Sequence, residues 1–209
     1  LFRSILMDML KKQNGDHSFL AMNSESHSVL LDRLRSSELD ALITNYITYG
    51  EDIQVLAEIQ MPVIAVTTPA FAKAHGLTKK TSFLTALRAK EAGLLLPSSM
   101  LKLRMETDFY LQRGSIRGKI VFESDNVGAI LRATVEGLGV ALLPKPYVSR
   151  ELKAGIIRII GEEKGLWNHT ISLITLKHNE TPPVLKDLLF HFNNLAQISD
   201  CQALQVLES

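Results

Sequence analysis

The segment 125–144 constrains the fold of this chain most, because it encodes a helix, a turn and a strand in succession. Asp125 or the serine before it is placed to N-cap the helix, since side-chain oxygens there accept hydrogen bonds from the unpaired amides of the first turn. Gly137 can end the helix in the left-handed conformation, and Gly139 keeps the turn tight. Residues 140–143 then form a short buried strand. The helix has one apolar face, formed by Val127, Ile130, Leu131 and Val135.

Helical and strand-like patterns alternate along the rest of the chain. Apolar residues at helical spacing predict further helices over residues 2–12, 82–87, 99–111 and 185–195. Another helix, capped by Ser24 or Ser26, carries Val29, Leu30, Leu31 and Leu34. Short apolar runs predict strands over residues 19–22, 39–44, 62–67, 94–96, 119–122, 156–160 and 170–176, the last strand. This order predicts an α/β chain of two lobes, each with helices on both faces of a mostly parallel sheet.

Composition and charge exclude several classes of function. The chain has 23 basic and 22 acidic residues, a formal net charge of +1, and its basic residues occur in scattered pairs. We therefore expect that this segment does not bind DNA by itself. Its apolar runs are far shorter than the ~20 residues that cross a bilayer, so we expect no membrane contact. The single cysteine, Cys201, cannot form an internal disulfide, which favours the cytoplasm. Because the chain starts on Leu1, we expect further protein upstream.

Sequence motifs for catalysis, metal binding or cofactor binding are missing. There is no Gly-x-Ser-x-Gly, Gly-x-x-x-x-Gly-Lys-Ser/Thr or Gly-x-Gly-x-x-Gly segment. Gly137-Leu138-Gly139 ends a helix instead of starting one, which is the wrong context for a dinucleotide. The six histidines are dispersed, without a pair at helical spacing or cysteine partners. We therefore predict a protein that is not an enzyme and has no catalytic residues, metal or cofactor.

Small polar residues follow five of the predicted strands. In open parallel sheets, ligands bind in the crevice beyond the carboxyl ends of the strands, where hydroxyls and helix amides suit a small polar ligand. Each residue taken alone is more simply a helix cap or a turn, but convergence at one edge favours a ligand site. Glu25 and Asp125 argue against an unshielded dianion. The groups are Ser24-Glu25-Ser26, Thr44-Asn45, Thr67-Thr68, Ser98-Ser99 and Ser124-Asp125-Asn126.

Three segments resemble LysR-type transcriptional regulators. Residues 30–43, with Glu38-Leu39-Asp40-Ala41-Leu42-Ile43, resemble a helix of that family and the Leu-Asp-hydrophobic strand that follows it. Residues 130–144, with Glu136-Gly137-Leu138-Gly139-Val140-Ala141-Leu142-Leu143-Pro144, resemble the signature of its second lobe. Leu152–Ile160, with Gly155, is similar to the segment that follows. Together the three segments are in the expected order and spacing.

The resemblance implies an effector-sensing domain with the type 2 periplasmic-binding-protein fold, in which two crossing strands form the hinge. Lobe I would comprise residues 1–67 and 170–209, and lobe II residues 68–169, with a winged helix-turn-helix domain upstream that alone binds DNA. The domain would form a homodimer, and the full-length protein a homotetramer. A small-molecule or ionic effector would bind between the lobes. Its contacts would be Ser24, Ser26, Thr44, Asn45, Thr67, Ser98, Ser99 and Asp125.

Three other interpretations remain open at this point. Residues 26–43 and 99–112 resemble, more weakly, the subgroup that activates sodium/proton antiporter genes, for which an ion would be the signal. A solute-binding protein of a transporter has the same fold. An enzyme built on this fold would need a nucleophile and base that the sequence does not reveal.

Overall fold

The computed structural model describes residues 26–48, 50–77, 92–115, 118–177, 185–186, 188–190 and 192–193, and the backbone of 202–204. The helices are α1 (His27–Arg35), α2 (Pro69–Ala74), α3 (Lys102–Arg113), α4 (Val127–Val135) and α5 (Ser149–Lys153), and a 3-10 turn over Lys145–Val148 precedes α5. The strands are β1 (Leu42–Thr44), β2 (Ile53–Thr67), β3 (Leu94–Pro97), β4 (Ile120–Ser124), β5 (Val140–Pro144), β6 (Arg158–Ile160), β7 (Trp167–Leu176) and β8 (Gln202–Leu204). Residues 185, 186, 188–190, 192 and 193 are also helical.

These elements form two compact units. Unit 1 combines the chain up to Met61 with the chain from Thr170 onward, and unit 2 consists of Pro62–His169. Both boundaries fall inside strands, so β2 and β7 each have residues in both units. Residues 63–67 pair with β5 and β6 and therefore belong to unit 2, whereas the sequence prediction counted them with the first lobe.

Unit 2 is built on a sheet in which β5, β3 and β4 lie side by side and run parallel. Strand β2 is antiparallel to β5, with Val63 opposite Pro144 and Val66 opposite Ala141. Helix α4 packs on β3, β4 and β5, and α3 packs on β3. The inward side chains of α4, among them the fully buried Ile130, complete an apolar core with the central strands.

The described strands of unit 1 pair in antiparallel fashion. Leu42 of β1 lies opposite Ile174 of β7, and Thr44 lies opposite Ser172. Strand β8 pairs with the first half of β2. Helix α1 packs on β1, and its Leu34 is fully buried in a cluster with Leu42 and Ile174. This small core holds α1 against β1 and β7.

The prediction of mostly parallel sheets is partly wrong. In the described part of the chain, β3–β4 and β3–β5 are parallel, whereas β1–β7, β2–β5, β2–β6 and β2–β8 are antiparallel. A strand that is buried on both faces is uniformly apolar whichever way its neighbours run. The apolar runs at 39–44 and 62–67 therefore contained no information on direction.

The helix–turn–strand segment is confirmed over most of its length. Helix α4 ends at Val135, Gly137 adopts a left-handed φ of +75°, and β5 begins at Val140. A Cβ added to Gly139 would lie 2.5 Å from the carbonyl oxygen of Gly93, so the tight turn requires glycine there. The helix cap differs from the prediction, and β5 includes Pro144, one residue past the predicted end of the strand.

Other elements differ in extent. Strand β2 starts at Ile53, nine residues before the predicted start, because polar residues such as Glu58 and Gln60 occupy half-buried positions and interrupt the apolar pattern. Strand β8 follows β7, so β7 is not the last strand. The predicted elements at 2–12, 19–22 and 82–87 lie outside the described residues. Within the described ranges, no helix combines the length and apolar character needed to span a membrane.

Candidate functional site

The carboxyl ends of β3 and β4 lie at one edge of the unit 2 sheet. Pro97 is opposite Ser124 in this parallel pair, and the Ser98 amide donates to the Ser124 carbonyl oxygen at 2.8 Å. After these strands the chain turns into α3 and α4, respectively. The edge therefore has the topology at which open α/β sheets bind ligands.

Asn126 is the N-cap of α4 at this edge. Its Oδ1 accepts hydrogen bonds from the amides of Gly128 at 2.8 Å and Ala129 at 3.4 Å. Ser124 Oγ instead accepts from the Asn126 amide at 3.1 Å, and Asp125 is exposed. The prediction that Asp125 or Ser124 caps the helix is thus wrong, because the residue that directly precedes the first helical turn, with extended φ and ψ of −99° and 106°, is Asn126.

Ser98 and Ser99 lie in the loop before α3. Helix α3 starts at Lys102, three residues after the predicted start, and its N-cap position is occupied by Leu101, whose side chain cannot cap. Ser98 is half-buried and its carbonyl oxygen accepts from the Leu101 amide at 3.0 Å, whereas Ser99 is exposed. The structure therefore places Ser98, Ser99 and Asp125 at the same edge of unit 2.

Thr67 lies at the opposite edge of the same sheet. Since β2 is antiparallel to β5, and β5 is parallel to β3, the carboxyl end of β2 lies beside the amino ends of those strands. Thr67 is fully buried, and its Oγ1 donates to the Gly139 carbonyl oxygen at 2.7 Å. The expectation that Thr67 converges with Ser98 and Asp125 is wrong, because the direction of β2 was not visible in the sequence.

In unit 1, the end of β1 carries a second group of polar residues. Thr44 is 6% exposed, and its Oγ1 lies 3.0 Å from both the Tyr46 amide, which donates to it, and His27 Nδ1. Asn45 is half-buried. Ser26 occupies the N-cap position of α1, as predicted, but its exposed side chain makes no capping hydrogen bond. Ser24 lies outside the described residues.

His27 is the member of this group that the sequence analysis missed. Its ring lies 5.0 Å from the Tyr46 ring, and its Nε2 lies 3.4 Å from Thr48 Oγ1. Burial lowers the pKa of His27 below its ordinary value, which favours the neutral ring. The available signal was that His27 directly follows Ser26 and so begins the helix that packs on β1.

A cluster of titratable side chains joins α3 to β7 inside unit 2. Glu106 Oε2 lies 2.7 Å from His169 Nδ1 and accepts from Trp167 Nε1 at 3.1 Å, and Lys102 Nζ lies 3.8 Å from Oε1. Burial opposes ionisation of Glu106, but the hydrogen bond and charge of His169, with the Trp167 hydrogen bond and Lys102, lower its pKa overall. Trp167 and His169 lie 61 and 63 positions after Glu106 in the chain, so local sequence patterns could not reveal this cluster.

A cavity of about 470 Å³ lies beside this cluster. Its lining is mostly aromatic and aliphatic and includes Phe109, Tyr110, Leu166 and Trp167. The rings of Tyr110 and Trp167 are 5.0 Å apart, and burial raises the pKa of Tyr110. Among the described residues, no group of three or more His, Cys, Asp or Glu side chains could hold a metal ion. The absence of a metal or cofactor from the whole chain stays a prediction.

A family model for the LysR substrate binding domain matches residues 1–196. The chain belongs to the LysR substrate-binding domain family. The fold class inferred from the sequence, a type 2 periplasmic-binding-protein-like α/β fold, is confirmed. No curated protein matches this LysR-family chain by sequence.

Solved regulatory domains of LysR regulators have the same fold as this chain. The apo regulatory domain of HypT from Salmonella typhimurium is 16% identical, with a TM-score of 0.66, and the match covers 93% of this chain and 90% of that one. The effector-binding domain of QuiR in complex with shikimate is 15% identical, with a TM-score of 0.63 and coverage of 95% and 90%. The regulatory domain of CcmR from Synechocystis PCC6803 in complex with 2-PG is 15% identical, with a TM-score of 0.65 and the same coverage. At these identities the likeness establishes the fold alone.

Proposed function

We propose that this chain is the effector-sensing domain of a LysR-type transcriptional regulator and that it binds a small polar ligand. Membership of the LysR substrate-binding domain family supports a regulator over a solute-binding protein of a transporter. The QuiR and CcmR domains were solved with shikimate and 2-PG, so small ligands bind to relatives of the same fold. The observation that carries the proposal is the set of polar side chains at strand ends in both units.

The proposed contacts fall into two groups. In unit 1 they are Ser26, Thr44 and Asn45, which surround the start of α1 and the end of β1. Ser24 is retained as a proposed contact because the family resemblance implies it. In unit 2 they are Ser98, Ser99 and Asp125, which follow β3 and β4. Thr67 is left out because its hydroxyl is committed to Gly139.

The effector would act by a difference in affinity between two conformations of the domain, because a ligand shifts a population only by that difference. In the full-length regulator, this shift would alter how an upstream winged helix-turn-helix domain binds DNA. Binding to the folded domain alone adds RT ln(1 + [L]/Kd) to its stability, about 2.7 kcal/mol at a hundredfold excess over Kd. Ligand binding therefore produces a measurable rise in Tm.

A thermal-shift screen with shikimate, 2-PG and other small polar metabolites tests the proposal. For a compound that raises Tm, titration calorimetry then measures the affinity for the wild-type domain and for two variants. These are Asn45→Ala and Ser99→Ala, one from each polar group. We expect each variant to weaken binding roughly three- to tenfold, the value of one hydrogen bond. Ser36→Ala, an exposed serine after α1, is the control and should bind as wild type does. Unchanged affinity in both test variants would show that the ligand binds elsewhere.

An ion is the alternative signal, as in the subgroup that activates sodium/proton antiporter genes. The exposed carboxylate of Asp125 would then attract the ligand. Sodium should raise the Tm of the wild-type domain, and a bulkier cation at equal ionic strength should not. Equal effects of both salts would rule out a specific sodium site.

We also propose that the domain forms a homodimer, that the full-length protein forms a homotetramer, and that the regulator is cytoplasmic. Light scattering coupled to size-exclusion chromatography gives the mass of each form, and a monomer at micromolar concentration would contradict the dimer. Subcellular fractionation tests the location. The N-terminal part of the gene separates regulator from transporter, since a basic helix-turn-helix supports the former and an export leader the latter.

A further inference from the structure

The hydrogen bonds around His27 run in one consistent direction. The Tyr46 amide donates to Thr44 Oγ1 at 3.0 Å, which uses one lone pair of that hydroxyl. Thr48 Oγ1 donates its proton to the Tyr46 carbonyl oxygen at 3.3 Å. A hydroxyl has a single proton to donate. With its proton directed to the Tyr46 carbonyl oxygen, Thr48 is left to accept in its 3.4 Å contact with His27 Nε2, an assignment that corresponds to the Nε2–H tautomer of His27.

This direction assigns the proton of the imidazole. Nε2 of His27 carries the hydrogen and donates it to Thr48, so Nδ1 of the neutral ring is an acceptor. Thr44 Oγ1, 3.0 Å from Nδ1, donates its own proton there. Thr44 thus keeps a lone pair for a ligand but has no proton to offer one.

We propose that His27 sets the hydrogen-bond polarity of Thr44 in the effector site. While His27 is neutral, Thr44 accepts a hydrogen bond from a hydroxyl or amino group of the effector and does not donate to a carboxylate. This inference rests on the proposed function, since it requires that Thr44 contact the effector. It narrows the effector to a hydroxylated or amino compound with a donor group that faces Thr44.

Protonation of His27 reverses this polarity. The Nδ1–H of the imidazolium donates to Thr44, whose own proton can then turn toward an anionic oxygen of the ligand. The groups that face the ring in the described part of the chain are the hydroxyls of Thr44 and Thr48 and the ring of Tyr46. Acid therefore shifts the preference of Thr44 from donor groups to anions.

The first experiment needs no ligand. Heteronuclear NMR of the histidine rings in the isotopically labelled protein at pH 7.5 should show the Nε2–H tautomer for His27. Thr48→Val removes the acceptor for this hydrogen and should lower the fraction of that tautomer. An Nδ1–H tautomer in the wild-type protein would overturn the proposal whatever the ligand.

The second experiment uses two carboxylic acids as probes, shikimate, which has hydroxyl groups, and benzoate, which has none. At pH 7.5, Thr44→Val should weaken shikimate binding roughly three- to tenfold and leave benzoate binding unchanged. At pH 5.5, Thr44→Val should weaken benzoate binding as well. His27→Gln, which cannot titrate in this range, should abolish the difference between the two pH values.

The outcomes separate this inference from the proposed function. If shikimate or benzoate binds but Thr44→Val and His27→Gln leave its affinity and pH dependence unchanged, the inference fails and the effector-sensing function stands. If neither probe binds at either pH, although His27 has the expected tautomer, the effector role of this group fails for carboxylic acids, and the inference fails with it.

Discussion

Replacement of Thr67 by valine separates a structural role from a ligand-binding one. The Thr67 side chain is 0% exposed, and its Oγ1 donates to the Gly139 carbonyl oxygen at 2.7 Å. Valine keeps the shape of threonine but removes the donor, so the buried hydrogen bond of this carbonyl oxygen is lost. A buried polar group that loses its partner costs about 1–3 kcal/mol. We expect Thr67→Val to lower the free energy of unfolding by this amount.

Two other threonines provide matched controls. Thr107 and Thr134 are also 0% exposed and donate at 2.7 and 2.8 Å to the carbonyl oxygens of Leu103 and Ile130. Those oxygens lie four residues earlier in α3 and α4, where the helix amides also donate to them, so valine leaves neither without a partner. Valine and threonine have similar helix propensity. We therefore expect each control to cost less than about 1 kcal/mol.

Urea unfolding of the three variants, followed by circular dichroism and by the fluorescence of Trp167, measures these differences. Trp167 is the single tryptophan of the chain and belongs to unit 2, as do all three threonines. Equal losses in all three variants, or no loss in Thr67→Val, would refute the reasoning. Thr67→Val should also bind any effector with wild-type affinity. Weaker binding at unchanged stability would contradict the placement of Thr67 away from Ser98.

Three further predictions concern the cap of α4, the buried carboxylate and the tight turn. Asn126→Ala should lower stability by about 1 kcal/mol in urea unfolding because two amides of α4 lose their acceptor, whereas Ser124→Ala should cost less; equal costs would contradict the assigned cap. Folding lowers the pKa of Glu106. The stability that its carboxylate contributes is therefore complete above the ordinary pKa of 4.5 and is lost as the pH falls through the folded-state pKa. The Tm difference between wild type and Glu106→Gln should therefore be larger at pH 5 than at pH 3, and an equal difference at the two pH values would exclude this linkage. Gly139→Ala should be more destabilising than Gly155→Ala in chemical denaturation, although of these two glycines it is Gly155 that has a left-handed φ, of +69°. A Cβ at 139 meets a backbone oxygen at 2.5 Å, whereas at 155 nothing lies within 4 Å and the cost is the ~1–2 kcal/mol of a left-handed alanine; the reverse ranking would contradict the close approach.

Local signals predicted the elements that depend on short-range structure. The apolar stripe and Gly137 gave α4 and its end within a residue, because periodicity and left-handed glycine act over one or two helical turns. The polar residues at the ends of β1, β3 and β4 were found for the same reason, since they follow directly on apolar runs. Asn126 was missed as the cap because three consecutive residues in this loop can all cap, and backbone geometry decides among them.

Contacts between distant segments could not be predicted in this way. Glu106 and His169 are 63 positions apart, and His27 and Thr44 are 17 apart, so no helical or strand period connects them. Pairing partners of β2 include β5, which is more than seventy residues later in the chain. Such pairs become visible only when the core brings their elements together.

By itself, the sequence determined the family, the fold class and the order of helices and strands, because these depend on apolar periodicity and on residues that begin and end elements. The tertiary structure alone decided the direction in which β2 lies against β5, and with it the edge at which Thr67 is found. It also decided that the hydroxyl of Thr44 lies 3.0 Å from Nδ1 of His27. Strand direction and hydrogen-bond pairing depend on the partner that each group meets, and the identity of that partner is a property of the folded chain.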